Sequence, residues 1–147
     1  MNPIKKAYCR IFQAGFRLAM PFMPYREPEI LNSVSEVPML LEKLGTKSVL
    51  LVTDKMLRQF GATSNLEKQL EEANIKCVVY DEPCPNPTVN NVEAARELYV
   101  KENCEALIAF GGGSSMDCAK AVGARIAYPH KTVNQMKGLL KVLKKIP

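Results

Sequence analysis

Tryptophan is absent from this chain of 147 residues, and histidine occurs once, at His130. A lone histidine beside Pro129 reads as a surface loop residue, and no H-E-x-x-H run or Cys/His cluster offers a metal site. The five cysteines (Cys9, Cys77, Cys84, Cys104, Cys118) contain no C-x-x-C pair. Odd in number and without a secretory signal, they read as reduced thiols of a cytoplasmic protein. No apolar run approaches the roughly 18 residues that a membrane span needs, which argues against an integral membrane protein. Internal repeats and low-complexity segments are missing too. Acids are absent from both ends: residues 1–26 carry Lys5, Lys6, Arg10, Arg17 and Arg26, residues 131–147 carry Lys131, Lys137, Lys141, Lys144 and Lys145, and all 15 acids lie between. Two basic ends on an acidic middle need not share a face, and no zinc-finger, RNA-recognition or helix-turn-helix signature accompanies them. No nucleic-acid partner is expected.

What is present has the composition of an ordinary globular protein, 47% hydrophobic and 24% charged, and the length of one domain. Asn2-Pro3 opens a helix as a cap followed by proline. Ile4, Ala7, Tyr8, Ile11, Phe12, Leu18, Ala19 and Phe22 then recur at helical spacing, with Lys5, Lys6, Arg10, Gln13 and Arg17 mostly opposite. Pro21 and Pro24 end the run. Packing against its own protein or a partner subunit is the first reading of this basic amphipathic stretch. An anionic membrane surface ranks behind it, and a targeting peptide behind both.

Further on, Glu36 to Leu44 reads as a short helix stopped by Gly45. Val49–Val52, Cys77–Tyr80 and Ala106–Phe110 are short, continuous apolar runs, the mark of strands buried on both faces of a parallel sheet. Between them lie a helix from Leu66 to Ala73, opened by a capping box at Ser64–Glu67, and a helix capped by Thr88 that carries Val92, Ala95, Leu98 and Tyr99. A helix from Ser114 to Tyr128 follows the third strand. The order β-α-β-α-β-α predicts an α/β fold, a Rossmann-like parallel sheet with flanking helices. Val133 to Ile146 again has helix-like spacing. A further strand is due just after Pro147, so the sheet is expected to be incomplete at one edge.

Gly111-Gly112-Gly113-Ser114-Ser115-Met116-Asp117 follows the third strand directly and opens a helix. Glycines let backbone approach a ligand, and the unpaired amides of a first helical turn favour an anion, phosphate above all. The bland alternative is a tight strand-to-helix turn without a ligand. Ser114 could cap the helix or contact phosphate, and Asp117 could hold the first turn or face a ribose. Neither a Walker loop nor the G-x-G-x-x-G fingerprint matches. At the end of the first strand, Asp54 is suited to accept bonds from a ribose and to repel a 2′-phosphate, favouring NAD over NADP. It is equally suited to cap a helix from Lys55 to Gly61. In Cys84-Pro85-Asn86-Pro87-Thr88 the two prolines are expected to hold Asn86 in an extended loop, its amide available to a ligand. Strand ends of an open α/β sheet are where ligands bind, so Asp54, Asn86 and Gly111–Ser114 are expected to converge on one rim.

Val52–Lys55 (V-T-D-K), Pro85–Thr88 (P-N-P-T) and Gly111–Lys120 (G-G-G-S-S-M-D-x-A-K), in that order, resemble the nucleotide-binding part of the iron-containing (group III) alcohol dehydrogenases. These are relatives of glycerol dehydrogenase and dehydroquinate synthase. The similarity runs from about Glu29 to Pro147 and leaves residues 1–28 as a basic helical extension beside an α/β domain of residues 29–147. It implies the dehydroquinate synthase-like N-terminal domain. Gly111, Gly112, Gly113 and Ser114 would lie at the pyrophosphate of NAD with Ser115 nearby, Asp54 at the adenosine ribose, and Asn86 near the nicotinamide. Family members are more than twice as long. Their helical C-terminal domain binds Fe²⁺ or another divalent metal through an aspartate and three histidines, which this chain lacks. The resemblance therefore implies the NAD-binding portion of an alcohol dehydrogenase, inactive alone, with a homodimer or the C-terminal half as possible partner. A non-catalytic nucleotide-binding or assembly module is the alternative.

Overall fold

A computed structural model of the chain describes residues 3–22, 28–82, 85–138 and 141–147, and the chain divides into two compact units, residues 1–30 and 31–147. Among its described residues the first unit holds one α-helix, α1 (Pro3–Ala19), followed by a 3-10 turn at Met20–Phe22. The helix ends where Pro21 has no amide to donate. Asn2, the expected cap, and Pro24 lie outside the described residues.

The second unit begins with a 3-10 turn at Val34–Glu36, α2 (Val37–Lys43) and β1 (Ser48–Val52), continues through α3 (Lys55–Gln59), α4 (Ser64–Glu72), β2 (Lys76–Tyr80) and α5 (Val89–Lys101), and reaches β3 (Ala106–Ala109) and α6 (Gly113–Ala127). The strands form one parallel sheet in the order β2-β1-β3, with Leu50 opposite both Val78 and Leu107. This is the α/β fold with a parallel sheet and flanking helices that the alternation of apolar runs and helical stretches predicts. Central β1 is buried along its whole length, which is why its sequence does not alternate. Leu50 and Val52 join Val92, Ala95, Tyr99, Cys118 and Val122 of α5 and α6 in one core. Val49 and Leu51 join Leu41, Leu66, Leu70 and Ile75 in another on the opposite face. The outer strands β2 and β3 are only partly covered.

Three local expectations are corrected. The helix after Gly61 is capped by Thr63 rather than Ser64, and no side chain completes a cap there. Gly61, at φ +73°, has already curled the chain, and Thr63 sits in helical conformation, so its buried hydroxyl donates to the Glu67 carboxylate at 2.6 Å instead. Asn86 is not extended: its φ is +60°. Pro85 and Pro87 fix their own φ but leave the sign of φ at Asn86 free, and asparagine tolerates the left-handed region better than most residues. Cys84 lies outside the described residues. Finally, among the described residues of 133–146 the helical structure is limited to a 3-10 turn at Val133–Met136. Gly138 takes φ +116°, and the amides of Leu143 and Lys144 donate to the Tyr128 hydroxyl at 2.9 and 3.0 Å. Leu139 and Leu140 lie outside the described residues.

Candidate functional site

Each parallel strand delivers its C-terminal residue to the same edge of the sheet. There the Thr53 amide donates to the Tyr80 carbonyl and the Phe110 amide to the Val52 carbonyl, extending both ladders by a residue. Beyond that point the chain turns away into α3 after β1 and into α6 after β3.

Asp54 caps α3. Its backbone is extended, at φ −103° and ψ 155°, and its Oδ1 accepts the Leu57 amide at 2.9 Å. Capping, one of the two readings open for this residue, is thus realised by one carboxylate oxygen. Oδ2 lies 3.3 Å from the position that a β-carbon on Gly111 would occupy. The two strands meet here because β3 pairs with β1, and so Asp54 and Gly111, far apart in sequence, adjoin.

The three glycines divide by role. Gly111 takes φ +135°, and a β-carbon on it would stand 2.9 Å from Leu57 Cδ1 and 3.0 Å from Ser115 Oγ. Its backbone and its surroundings both require glycine. A β-carbon on Gly112 or Gly113 meets nothing within 4 Å. Gly112 is the N-cap of α6 and no side chain caps that helix, so Ser114 is not its cap. Outside the helix proper, the first closing bond runs from the Met116 amide to the Gly112 carbonyl. The amides of Gly113, Ser114 and Ser115 precede it in the first turn, where a helix has no carbonyl of its own to offer. Gly112 and Gly113 are exposed, Ser114 is half-buried, and Ser115 is buried beneath the loop. Asp117 is exposed and pairs loosely with Lys120 at 3.6 Å.

Asn86 is exposed at the β2 end of the same edge. In the strand order β2-β1-β3, β1 with Asp54 stands between Asn86 and the glycine turn. The segment carrying Asn86 is anchored at its far side. Thr88 and Asn91 form a reciprocal capping box on α5, and Asn91 Nδ2 donates to the Glu82 carbonyl at 3.2 Å.

Other groups at this edge carry no local sequence signal. Arg58 donates to Asp81 at 2.9 Å, tying α3 to the chain that leaves β2, and that hydrogen bond raises the guanidinium above its ordinary pKa. Thr53 is fully buried, and its hydroxyl has no hydrogen-bond partner among the described residues. Only the adjacent strands reveal these environments.

The edge can accept an anion at the α6 amides and a hydroxyl at Asp54. Activated nucleophiles are a different matter: burial pushes the Cys77 thiol up to about 11 and raises that of Cys104. Among the described residues no group of three or more His, Cys, Asp or Glu is arranged to hold a metal, and His130 is exposed in a turn. The described residues offer no donor set of that size for a metal.

Residues 31–147 match the protein family described as iron-containing alcohol dehydrogenase. A choline dehydrogenase of Bacillus subtilis is 45% identical over 85 residues, 58% of this chain and 21% of that protein. The NAD-dependent methanol dehydrogenase of Bacillus methanolicus is 33% identical over 115 residues, 78% of this chain and 30% of that protein. Among solved structures, a 1,3-propanediol oxidoreductase superposes with a TM-score of 0.73 at 33% identity, covering 79% of this chain and 30% of the other. The chain thus spans between about a fifth and a third of the length of these relatives.

Proposed function

The chain belongs to the iron-containing alcohol dehydrogenase family, and on that premise we propose that residues 31–147 bind NAD at the C-terminal edge of the sheet. One observation carries the reading: the first turn of α6 is uncapped by any side chain, and the β-carbon positions of Gly112 and Gly113 face open space. A pyrophosphate fits that environment. Backbone approach is unobstructed, several amides lie in one turn, and the helix dipole favours negative charge.

In this reading Gly111, Gly112, Gly113 and Ser114 take the pyrophosphate. Ser115, buried under the turn, supports it from below. Asp54 keeps Oδ1 on the Leu57 amide and offers Oδ2 to an adenosine ribose hydroxyl, where a 2′-phosphate would meet its negative charge. Asn86 reaches towards the nicotinamide end. When bound, the nicotinamide ring supplies a hydride acceptor for alcohol oxidation, or a donor for the reverse reaction. The alcohol dehydrogenase activity belongs to a protein that also carries metal ligands. Alone, the 147 residues are expected to turn over no simple alcohol with added Fe²⁺ or Zn²⁺.

Calorimetric titration with NADH tests the reading, run beside NADPH and the Gly113→Asp variant. The space around Gly113 admits the new side chain, so the variant folds, while its carboxylate opposes phosphate. Saturable NADH binding, weaker for NADPH and lost in the variant, is expected. Failure of the well-folded chain to bind NADH would overturn the cofactor assignment and leave the glycines as a turn.

A further inference from the structure

We propose that α1 anchors the protein on the surface of an anionic lipid bilayer, lying in the plane of the headgroups. The observation is a juxtaposition on one helix. Lys6, Arg10, Gln13 and Arg17 succeed one another at helical intervals and form a narrow polar strip. Tyr8, Ile11, Phe12 and Leu18 occupy the broad remainder, and Phe12 and Phe16 stack with ring centroids 6.4 Å apart. Lys5 falls on the apolar side, where its aliphatic stem can lie along lipid while the ammonium reaches the headgroups.

This apolar face has nothing to cover it within its own unit, which contains no second long element among the described residues. Ile11 and Leu18 are 74% and 75% exposed, and Phe22 beyond the helix is 89% exposed. Sequence alone favours burial against protein for such a stretch. The lack of cover for Tyr8, Ile11, Phe12 and Leu18 within their own unit reverses that order.

Charge identifies the occupant. The chain carries no acid before Glu27, so the helix presents a single sign beside its apolar face. A second copy of α1 would cover the apolar face but leave the cation strip, on the opposite side of the helix, without a counter-charge. A bilayer containing acidic lipids supplies a continuous negative potential together with an apolar medium that needs no fixed register. No helix among the described residues is long and apolar enough to cross a membrane, so the helix lies on the surface and does not span. This inference is independent of nucleotide binding.

Co-sedimentation of the full 147-residue chain with sucrose-loaded vesicles tests it. Vesicles of phosphatidylcholine with phosphatidylglycerol are compared with phosphatidylcholine alone, at low and high salt. The chain is expected to pellet with the acidic vesicles, to stay in solution with the neutral ones, and to bind less as salt rises. Each cation contributes about fivefold, so Lys6→Gln, Arg10→Gln and Arg17→Gln together weaken binding by about a hundredfold. Phe12→Asp abolishes it. These substitutions fall in a unit separate from the sheet, so an unchanged unfolding midpoint shows that residues 31–147 remain folded. Undiminished binding of the triple variant, or no binding to acidic vesicles, overturns the proposal. Should the chain instead self-associate without lipid and lose that property with Phe12→Asp, a second copy covers the face. Neither behaviour would leave a protein partner, and the lipid assignment would again be wrong.

Discussion

The carboxylate of Asp54 serves two elements at once: Oδ1 accepts the Leu57 amide at 2.9 Å, and Oδ2 stands 3.3 Å from where a β-carbon on Gly111 would be. The cap of α3 and the tightest point of the glycine turn are therefore neighbours. A change at either residue is felt by the other.

Gly111→Ala and Gly113→Ala should consequently have opposite effects on stability. The first forces an L-residue to φ +135° and drives its methyl against Leu57 and Ser115, a loss of about 2–4 kcal/mol when backbone strain and crowding are combined. The second places a methyl in open space inside a helix, a gain of about 0.5–1 kcal/mol. Urea unfolding separates the two. NADH titration of the stable Gly113→Ala variant should still show weakened binding, because the methyl occupies the space through which phosphate approaches.

At Asp54, asparagine and alanine distinguish capping from nucleotide choice. Asn caps as well as Asp, so Asp54→Asn should leave stability unchanged, whereas Asp54→Ala should cost roughly 1 kcal/mol. Both remove the charge that would oppose a 2′-phosphate. The ratio of NADH to NADPH affinity should fall in both variants to a similar extent, and a ratio unchanged in Asp54→Asn would remove the ribose role.

Acid sensitivity should centre on Glu93. Its carboxylate takes a two-pronged bond from the buried Arg125, at 2.6 and 3.1 Å, and that contact holds its pKa below the ordinary 4.5. A depressed carboxylate pKa stabilises the folded chain fully at neutral pH, and the benefit disappears as pH falls through the depressed value. Arg125 also donates to the carbonyls of Tyr128, Pro129 and Lys131, so it holds the turn after α6. Glu93→Ala should cost about 3 kcal/mol at pH 7 by leaving a buried guanidinium without its counter-charge. The gap from wild type should narrow in urea melts repeated in progressively stronger acid.

Thr53→Val should be neutral or stabilising by up to about 1 kcal/mol, because the hydroxyl it removes is buried without a partner among the described residues. A loss of stability, read from the thermal midpoint, would mean that the hydroxyl has a bonding role.

How much was legible beforehand depends on the range of each interaction. The strand at Val49–Val52 and the helix stop at Gly45 rest on the type and spacing of neighbouring residues. Thr88 as a cap rests on its own hydroxyl and a partner three positions on. All three are readable along the chain. The helix-like spacing of Val133–Ile146 misled, because the Tyr128 hydroxyl takes the amides of Leu143 and Lys144. Local periodicity does not register that competition. The extended conformation expected of Asn86 failed for a different reason: proline constrains its predecessor without setting the sign of that residue's φ.

By itself the sequence determined the alternation of buried strands and amphipathic helices, the glycine turn that opens α6, and the acid-free basic helix at the start. Each is a matter of periodicity, backbone freedom or composition. The tertiary structure decided which strand ends become neighbours. Because β3 returns to pair with β1 rather than β2, the Gly111 turn lies beside Asp54, and Asn86 lies on the far side of β1. The same packing of α5 against α6 brings Glu93 to Arg125. These relationships depend on which surfaces bury best against one another, a property of the whole folded chain that no short stretch of residues contains.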